Sequence, residues 1–207
     1  MSTQRRHWAT APRFTPLVGV LIGAAGGGVY WLGAQIWTTS IAVVLAMLAT
    51  ALLSAGSGAG SGAGSVEGAR TPRSELLAIV FALLIKYNAL MALSAANLPY
   101  RVPANVALGL IMIAGQASSR ALAISASKPV SYADLAIALA VGFAPAGLIG
   151  IPALVGLAAA IAARIGFIAY IRRRRSRPSV TAAELDLTQQ LTEVCFYLGA
   201  LATWSYI

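Results

Sequence analysis

Seven long apolar runs, separated by short polar or small-residue segments, constrain this chain more than any other feature. A helix needs about 20 apolar residues to cross a bilayer. Soluble domains carry about 25% charged residues, whereas only 10% of these 207 residues are charged and 58% are hydrophobic. The pattern predicts an all-α, polytopic integral membrane helical bundle, with spans at 16–37, 39–54, 75–96, 104–125, 134–150, 152–171 and 187–206.

Lysine and arginine residues are divided unevenly between the two predicted sides of the membrane. Only Arg101 falls on the outer side when the N-terminus is placed inside. The inner segments then hold Arg5, Arg6, Arg13, Arg70, Arg73, Lys128, Arg172, Arg173, Arg174, Arg175 and Arg177. Positive residues concentrate on the cytoplasmic side of membrane proteins. We therefore expect a multi-pass protein of the cytoplasmic (inner) membrane with its N-terminus inside.

The net charge of +9 does not indicate a nucleic-acid-binding protein, because the basic residues flank apolar runs and form no aromatic-interleaved basic face. The sequence predicts a basic cytoplasmic tail at 1–15 and a single transmembrane bundle domain at 16–207. Within that domain, 54–66 is a flexible Ser/Ala/Gly tether, and 172–186 is a basic cytoplasmic loop suited to contact with anionic membrane lipid.

Four charged residues lie away from the ends of the predicted spans: Lys86, Arg120, Arg164 and Glu193. A charge inside a bilayer costs at least a few kcal/mol, so each one indicates either a site or a paired structural contact. Arg120, Gln189, Gln190 and Glu193 would line a polar, cytoplasm-facing cavity suited to a phosphate-bearing ligand. The alternative is an Arg120–Glu193 pair that binds nothing. For Lys86, a site and a snorkelling side chain are both open.

Common catalytic motifs are missing from the sequence. It has no P-loop, no G-x-S-x-G motif and no H-E-x-x-H motif. A single cysteine, Cys195, excludes an intrachain disulfide. The single histidine, His7, has no second histidine or nearby cysteine with which to complete a zinc site.

Three stretches, in order, resemble the cobalamin-5′-phosphate synthase (adenosylcobinamide-GDP ribazoletransferase) family. The first is FTPLVGVLIGAAGGGVYWLGAQ at 14–35, which is similar to the family's first helix. The second is Ser119-Arg120 followed by Lys128-Pro129. The third, TQQLTEVCFYLGALA at 188–202, is similar to the family's last helix and is the most specific.

This resemblance implies a transferase of late cobalamin biosynthesis. Such an enzyme joins α-ribazole, or its 5′-phosphate, to adenosylcobinamide-GDP and releases GMP, using Mg²⁺. It implies corrinoid and nucleotide-derived substrates, with a site that faces the cytoplasm. The substrate-binding positions that it implies are Arg70, Ser119, Arg120, Lys128, Gln189, Gln190 and Glu193.

The chain departs from the family pattern where metal-binding carboxylates are expected. After the second helix, the family pattern is His-x-Asp-Gly-x-x-Asp-x-x-x-Asp-Gly, whereas this chain has SAGSGAGSGAGSVEG at 54–68. An expected aspartate before the last helix is Ala183 here. The weak candidates for a metal are Glu67, Glu184 and Asp186. We therefore expect impaired activity, and no Mg²⁺ site is identifiable in the sequence.

Two other functions stay open. The first is a catalytically inactive membrane scaffold or partner subunit of the same fold, either as a homo-oligomer or with other membrane proteins. The second is a small transporter, although the sequence shows no inverted repeat and no paired broken helices.

Overall fold

A computed structural model describes residues 14–56, 73–95, 104–124, 131–174 and 182–204. These residues form seven α-helices. In chain order they are α1 (Thr15–Ile36), α2 (Thr39–Gly56), α3 (Arg73–Ala95), α4 (Ala104–Ile124), α5 (Tyr132–Ile149), α6 (Ile151–Arg174) and α7 (Ala182–Trp204). The all-α membrane bundle expected from the sequence is confirmed.

The helix boundaries differ from the predicted ones by at most five residues, at the start of α7. The helix formers Ala182 to Leu187 extend α7 before its first predicted residue. Similarly, α2 continues through Gly56, so the first three residues of the predicted tether at 54–66 are helical. The rest of the tether lies outside the described residues. At the other end of the chain, α6 continues into the basic run and ends at Arg174.

Four described helices are long and apolar enough to cross a membrane. They correspond to Thr15–Ile36, Val106–Ile124, Tyr132–Ile149 and Ile151–Ile171. Two shorter apolar stretches, Thr39–Ala55 and Ile79–Ala95, lie in α2 and α3. Large apolar side chains such as Leu21, Ile36 and Leu148 are exposed on the outside of the bundle, as lipid-facing residues are.

Helix α4 is the central helix, because most of its residues are buried, whereas α5 and α6 expose most of theirs. Its most extensive contact is with α1. Glycines spaced four apart on α1, at Gly19, Gly23 and Gly27, let the two backbones approach closely. A Cβ atom on Gly23 would lie 2.5 Å from the Cα of Ile113, and one on Gly27 would lie 2.9 Å from the Cα of Gly109. Small residues at such crossings are typical of membrane helix packing.

The helices that contact Arg120 do not all run in the same direction. Gly19, near the start of α1, lies against Ala117 and Arg120 near the end of α4. Ser54, near the end of α2, contacts Arg120 as well. The end of the bundle where α1 and α7 begin and α2 and α4 end is called the site end below.

Candidate functional site

A cluster of charged and polar side chains is buried inside the bundle. Within the described residues, three charged side chains are almost fully buried: Lys86 on α3, Arg120 on α4 and Glu193 on α7. Their exposed fractions are 4%, 2% and 1%. Buried charges are costly unless they are paired and hydrogen-bonded. The partners of each charge therefore decide what the cluster can do.

Glu193 is the acceptor at the centre of this cluster, and three donors from three helices converge on one of its oxygens. Lys86 Nζ lies 2.6 Å from Glu193 Oε1. Gln116 Nε2 donates to the same oxygen at 2.7 Å, and the Tyr197 hydroxyl donates at 2.9 Å. Lys86 Nζ also lies 5.9 Å from the centroid of the Tyr197 ring, within cation–π range. The charge of Glu193 is therefore balanced by Lys86.

Two features of α7 and α4 hold this arrangement together. Glu193 and Tyr197 are four residues apart and share one face of α7, so the tyrosine can reach the carboxylate of its own helix. The Tyr197 ring fits because residue 115 on α4 is glycine. A Cβ atom at Gly115 would lie 2.7 to 2.9 Å from the ring and its hydroxyl oxygen. Substitution at Gly115 would push the tyrosine away from Glu193.

Arg120 is the second buried cation, and two of its three guanidinium nitrogens have no hydrogen-bond partner among the described residues. Its Nη2 donates to Ser54 Oγ at 2.9 Å. Among the described residues, its Nε and Nη1 have no hydrogen-bond partner, although both atoms are buried. A guanidinium carries five N–H donors. A buried charged group with unpaired donors lowers stability by more than the 1–3 kcal/mol or so that a neutral group costs, unless a ligand or water occupies them.

Helix α1 fixes the stem of Arg120. A Cβ atom on Gly19 would lie 2.9 Å from Arg120 Cδ and 2.7 Å from the backbone oxygen of Gln116. The α1 backbone therefore covers one side of the arginine, and Ser54 holds its tip. The guanidinium is positioned before any ligand arrives, which lowers the ordering cost of binding.

The charges of the site do not cancel. Lys86 and Arg120 are two buried cations, and Glu193 is the one buried anion in the part of the chain that the structure describes. Arg120 is close enough to Glu193 and Asp186 for an electrostatic attraction to both carboxylates. Asp186 is exposed on the second turn of α7, so water screens its charge. The buried cluster keeps a net positive charge beside Arg120, which favours an anionic ligand.

The structure brings several of the predicted site residues together. Arg120 and Glu193 lie in the cluster, and Gln189 and Gln190 are half-buried on the same helix as Glu193. The Arg120–Glu193 ion pair that the sequence left open is not formed between these two described residues, since Glu193 pairs with Lys86. Ser119 is buried and donates its hydroxyl to the Gln116 carbonyl of its own helix at 3.2 Å.

Other predicted residues lie beyond what the structure describes. Arg70, Lys128 and Glu67 fall outside the described residues. Glu184 belongs to α7, but its side chain is not described. Their substrate- and metal-binding roles remain predictions.

The remaining intramembrane cation, Arg164, has a structural contact. Its Nε donates to the Leu122 carbonyl at 3.0 Å, near the end of α4. The last carbonyls of a helix have no partner within the helix, and a cation is favoured there. Arg164 therefore ties α6 to the end of α4.

The residues described do not fit a Mg²⁺ ion. Over the described ranges, no three His, Cys, Asp or Glu side chains come close enough to share a metal. The buried carboxylate, Glu193, already accepts three donors at one oxygen. Mg²⁺ demands near-octahedral oxygen ligands, and the described side chains supply no such set.

Sequence reasoning missed three residues of the cluster: Ser54, Gln116 and Tyr197. One of them had a usable signal. Gln116 is a long polar residue inside an apolar helix, one turn before Arg120, so the two share a helix face. Ser54 was not predicted as a site residue, because it begins the Ser/Ala/Gly repeat and has the same composition as the rest of it.

Comparison with known proteins decides the family. The cobalamin-5-phosphate synthase family description matches residues 1–57. Three adenosylcobinamide-GDP ribazoletransferases are similar over almost the whole chain. Those of Ralstonia nicotianae and Shewanella halifaxensis are both 30% identical, over 94% and 91% of this chain and 85% and 83% of their own. That of Leptothrix cholodnii is 34% identical over 92% of this chain and 84% of its own. This chain belongs to the adenosylcobinamide-GDP ribazoletransferase family.

The ribazoletransferase relatives are longer than this chain within the aligned region. The alignment with the Ralstonia protein extends over 229 residues, more than the 207 of this chain. The relative therefore carries internal residues that this chain lacks. No solved structure shows a significant similarity to the chain.

Proposed function

We propose that this chain is a membrane transferase of late cobalamin biosynthesis that joins α-ribazole, or its 5′-phosphate, to adenosylcobinamide-GDP with release of GMP. One observation carries the proposal: the buried Arg120 guanidinium has two unpaired donor atoms and forms no salt bridge with the described residues. A diphosphate or phosphate ester supplies the missing anion and accepts those N–H groups.

The chemistry follows from those substrates and products. A hydroxyl group of the ribazole displaces GMP from the diphosphate, so one phosphorus–oxygen bond forms, one breaks, and the hydroxyl proton is released. Negative charge accumulates on the phosphoryl and leaving oxygens during such a transfer. A fixed guanidinium in a site that excludes water stabilises that charge. Arg120 would bind and orient the phosphate.

The proposed activity is weak, because the carboxylates that the family uses for Mg²⁺ are replaced. When bound, Mg²⁺ would neutralise phosphate charge and orient the oxygens of the diphosphate. Between α2 and α3 the chain offers one carboxylate, Glu67, within its Ser/Ala/Gly-rich segment. Small residues supply no side-chain ligands or packing with which to preorganise an octahedral site. The expected defect therefore lies in turnover more than in binding.

We place the protein in the cytoplasmic membrane with the site end facing the cytoplasm. The excess of lysine and arginine in the connecting segments on that side supports this orientation. Adenosylcobinamide-GDP and α-ribazole 5′-phosphate both carry phosphate and are water-soluble, which is consistent with a site that opens to the cytoplasm.

A paired turnover and binding experiment tests the proposal. The purified chain in lipid nanodiscs is mixed with adenosylcobinamide-GDP, α-ribazole 5′-phosphate and Mg²⁺, with the Ralstonia ribazoletransferase as positive control. We expect much less product than the control gives, together with measurable binding of adenosylcobinamide-GDP that Arg120→Gln abolishes. Arg173→Gln is the matched control, since Arg173 is exposed on α6.

The outcomes separate the parts of the proposal. Turnover equal to that of the Ralstonia enzyme would show that the replaced aspartates are dispensable. Binding that survives Arg120→Gln would remove Arg120 from the site. A folded wild-type chain that binds no substrate would leave a scaffold or partner subunit as its role.

A further inference from the structure

We infer that Gln116 determines which phosphate ligand binds: its side-chain oxygen accepts a hydrogen bond from a hydroxyl or N–H group of the molecule whose phosphate contacts Arg120. The inference rests on the Arg120 site proposed above and adds a second contact to it. The ligand class that it selects is a phosphate ester whose alcohol part carries a hydrogen-bond donor, in preference to a phosphate ester without such a donor.

The chemistry of Glu193 fixes which end of the Gln116 amide is free. A carboxylate paired with a cation only accepts hydrogen bonds. The amide must therefore present its NH₂ group to Glu193, as it does at 2.7 Å. Turning the amide over would bring two oxygens together. The Gln116 oxygen is consequently directed away from Glu193 by chemistry, not by a choice between two equivalent orientations.

That oxygen is left without a partner. Gln116 is 2% exposed, and within the described part of the chain its Oε1 atom is buried and accepts no hydrogen bond. A buried acceptor without a donor costs about 1–3 kcal/mol. A ligand donor or a bound water would recover that loss.

The free acceptor and the free donors lie on the same side of α4. Gln116 and Arg120 are four residues apart, so both side chains leave the same helix face. One could donate to the other, yet neither does, because both Oε1 of Gln116 and the Nε and Nη1 atoms of Arg120 are unpartnered among the described residues. The two groups therefore do not satisfy each other. A ligand that bridges them needs an anionic end and a donor end.

Lys86 and Tyr197 act as positioning residues for this contact. Both bind Glu193 Oε1, the oxygen that also holds the Gln116 amide. With Lys86 as its counter-ion, Glu193 does not neutralise Arg120. Lys86 and Tyr197 thus hold the carboxylate that orients the amide, and they leave the Arg120 charge available to the ligand.

Binding measurements with two simple probes test the inference without any turnover. Methyl phosphate at pH 8 is an anion with no hydrogen-bond donor, and ribose 5-phosphate adds hydroxyl donors to the same anion. Isothermal titration calorimetry on the full chain in nanodiscs gives the affinity ratio of the two. We expect wild type to prefer ribose 5-phosphate by about two- to tenfold, the factor that one net hydrogen bond contributes.

The variant Gln116→Met removes the acceptor, and with it the NH₂ donor to Glu193, while keeping a side chain of similar length. We expect it to lose the preference for ribose 5-phosphate and to bind methyl phosphate as wild type does. Ser118→Ala is the control, because Ser118 is buried on the same helix and its hydroxyl donates to backbone carbonyls of its own helix, at 2.6 Å to that of Ala114. The preference should persist in that variant.

Each result bears on the inference. Equal wild-type affinities for the two probes overturn it, whether or not Gln116→Met folds, and leave the Arg120 anion site standing. Loss of affinity for both probes in folded Gln116→Met shows a structural role instead and also overturns it. Absence of binding of either probe to wild type removes the Arg120 site itself, independently of any transferase assay.

Discussion

Breaking the Lys86–Glu193 pair should destabilise the bundle through charge, and the size of the effect follows from the contacts. In Lys86→Met, Glu193 stays buried without its counter-ion. Removing one partner of a buried ion pair costs about 3–5 kcal/mol. Glu193 keeps two neutral donors, Gln116 and Tyr197. We therefore expect the low end of that range, about 3 kcal/mol.

The double variant Lys86→Met/Glu193→Gln separates lost charge from lost packing. It removes both charges of the buried pair, and Gln keeps an oxygen for the donors on Gln116 and Tyr197. We expect its stability to lie within about 1 kcal/mol of wild type, so the second substitution should recover about 2 kcal/mol of the loss seen in Lys86→Met.

Thermal unfolding in detergent micelles measures these differences. For a chain of about 200 residues, 1 kcal/mol corresponds to about 2–4 °C in Tm, so Lys86→Met should lower Tm by about 6–12 °C. The exposed residue Arg173 supplies the control, since Arg173→Met should change stability by less than about 0.5 kcal/mol. A double variant as unstable as Lys86→Met would refute the charge argument, because packing loss would then explain the effect.

Three further predictions concern the site and its support. Arg120→Lys should weaken phosphate binding at least about tenfold by calorimetry, because a hydrogen bond to a charged group contributes about 1.5–3 kcal/mol; unchanged affinity would contradict the anchor role. Gly19→Ala should destabilise by about 1–3 kcal/mol in thermal unfolding, since its Cβ meets Arg120 and Gln116. Gly28→Ala has nothing within 4 Å and should be neutral or stabilising by up to about 1 kcal/mol; equal effects would contradict the packing argument. Replacing residues 57–68 with the family's His/Asp-rich loop should raise turnover in Mg²⁺, with EDTA reversing the gain; no gain would place the defect elsewhere.

The sequence predicts the helices well, because hydrophobic length in a chain with so few charges leaves little choice. The limits lie where tertiary contacts act. Ser54 continues α2 and binds Arg120, although the repeat around it is typical of flexible coil. The partner of Lys86 is more than 100 residues away in sequence, on α7, and no local pattern identifies it. Sequence pointed to Arg120 and Glu193 as intramembrane charges, but only the fold shows which of them is neutralised.

The long separation between Lys86 and Glu193 bears on how the protein is made. Lys86 enters the membrane with α3, while its counter-ion is on α7, which is synthesised four helices later. A lysine at the centre of a spanning helix costs about 2.5–3.5 kcal/mol on insertion scales. Until α7 emerges, α3 lacks the contact that offsets that cost. A chain truncated before α7 should therefore insert α3 less efficiently than the full chain, because Lys86 would have no counter-ion on α7.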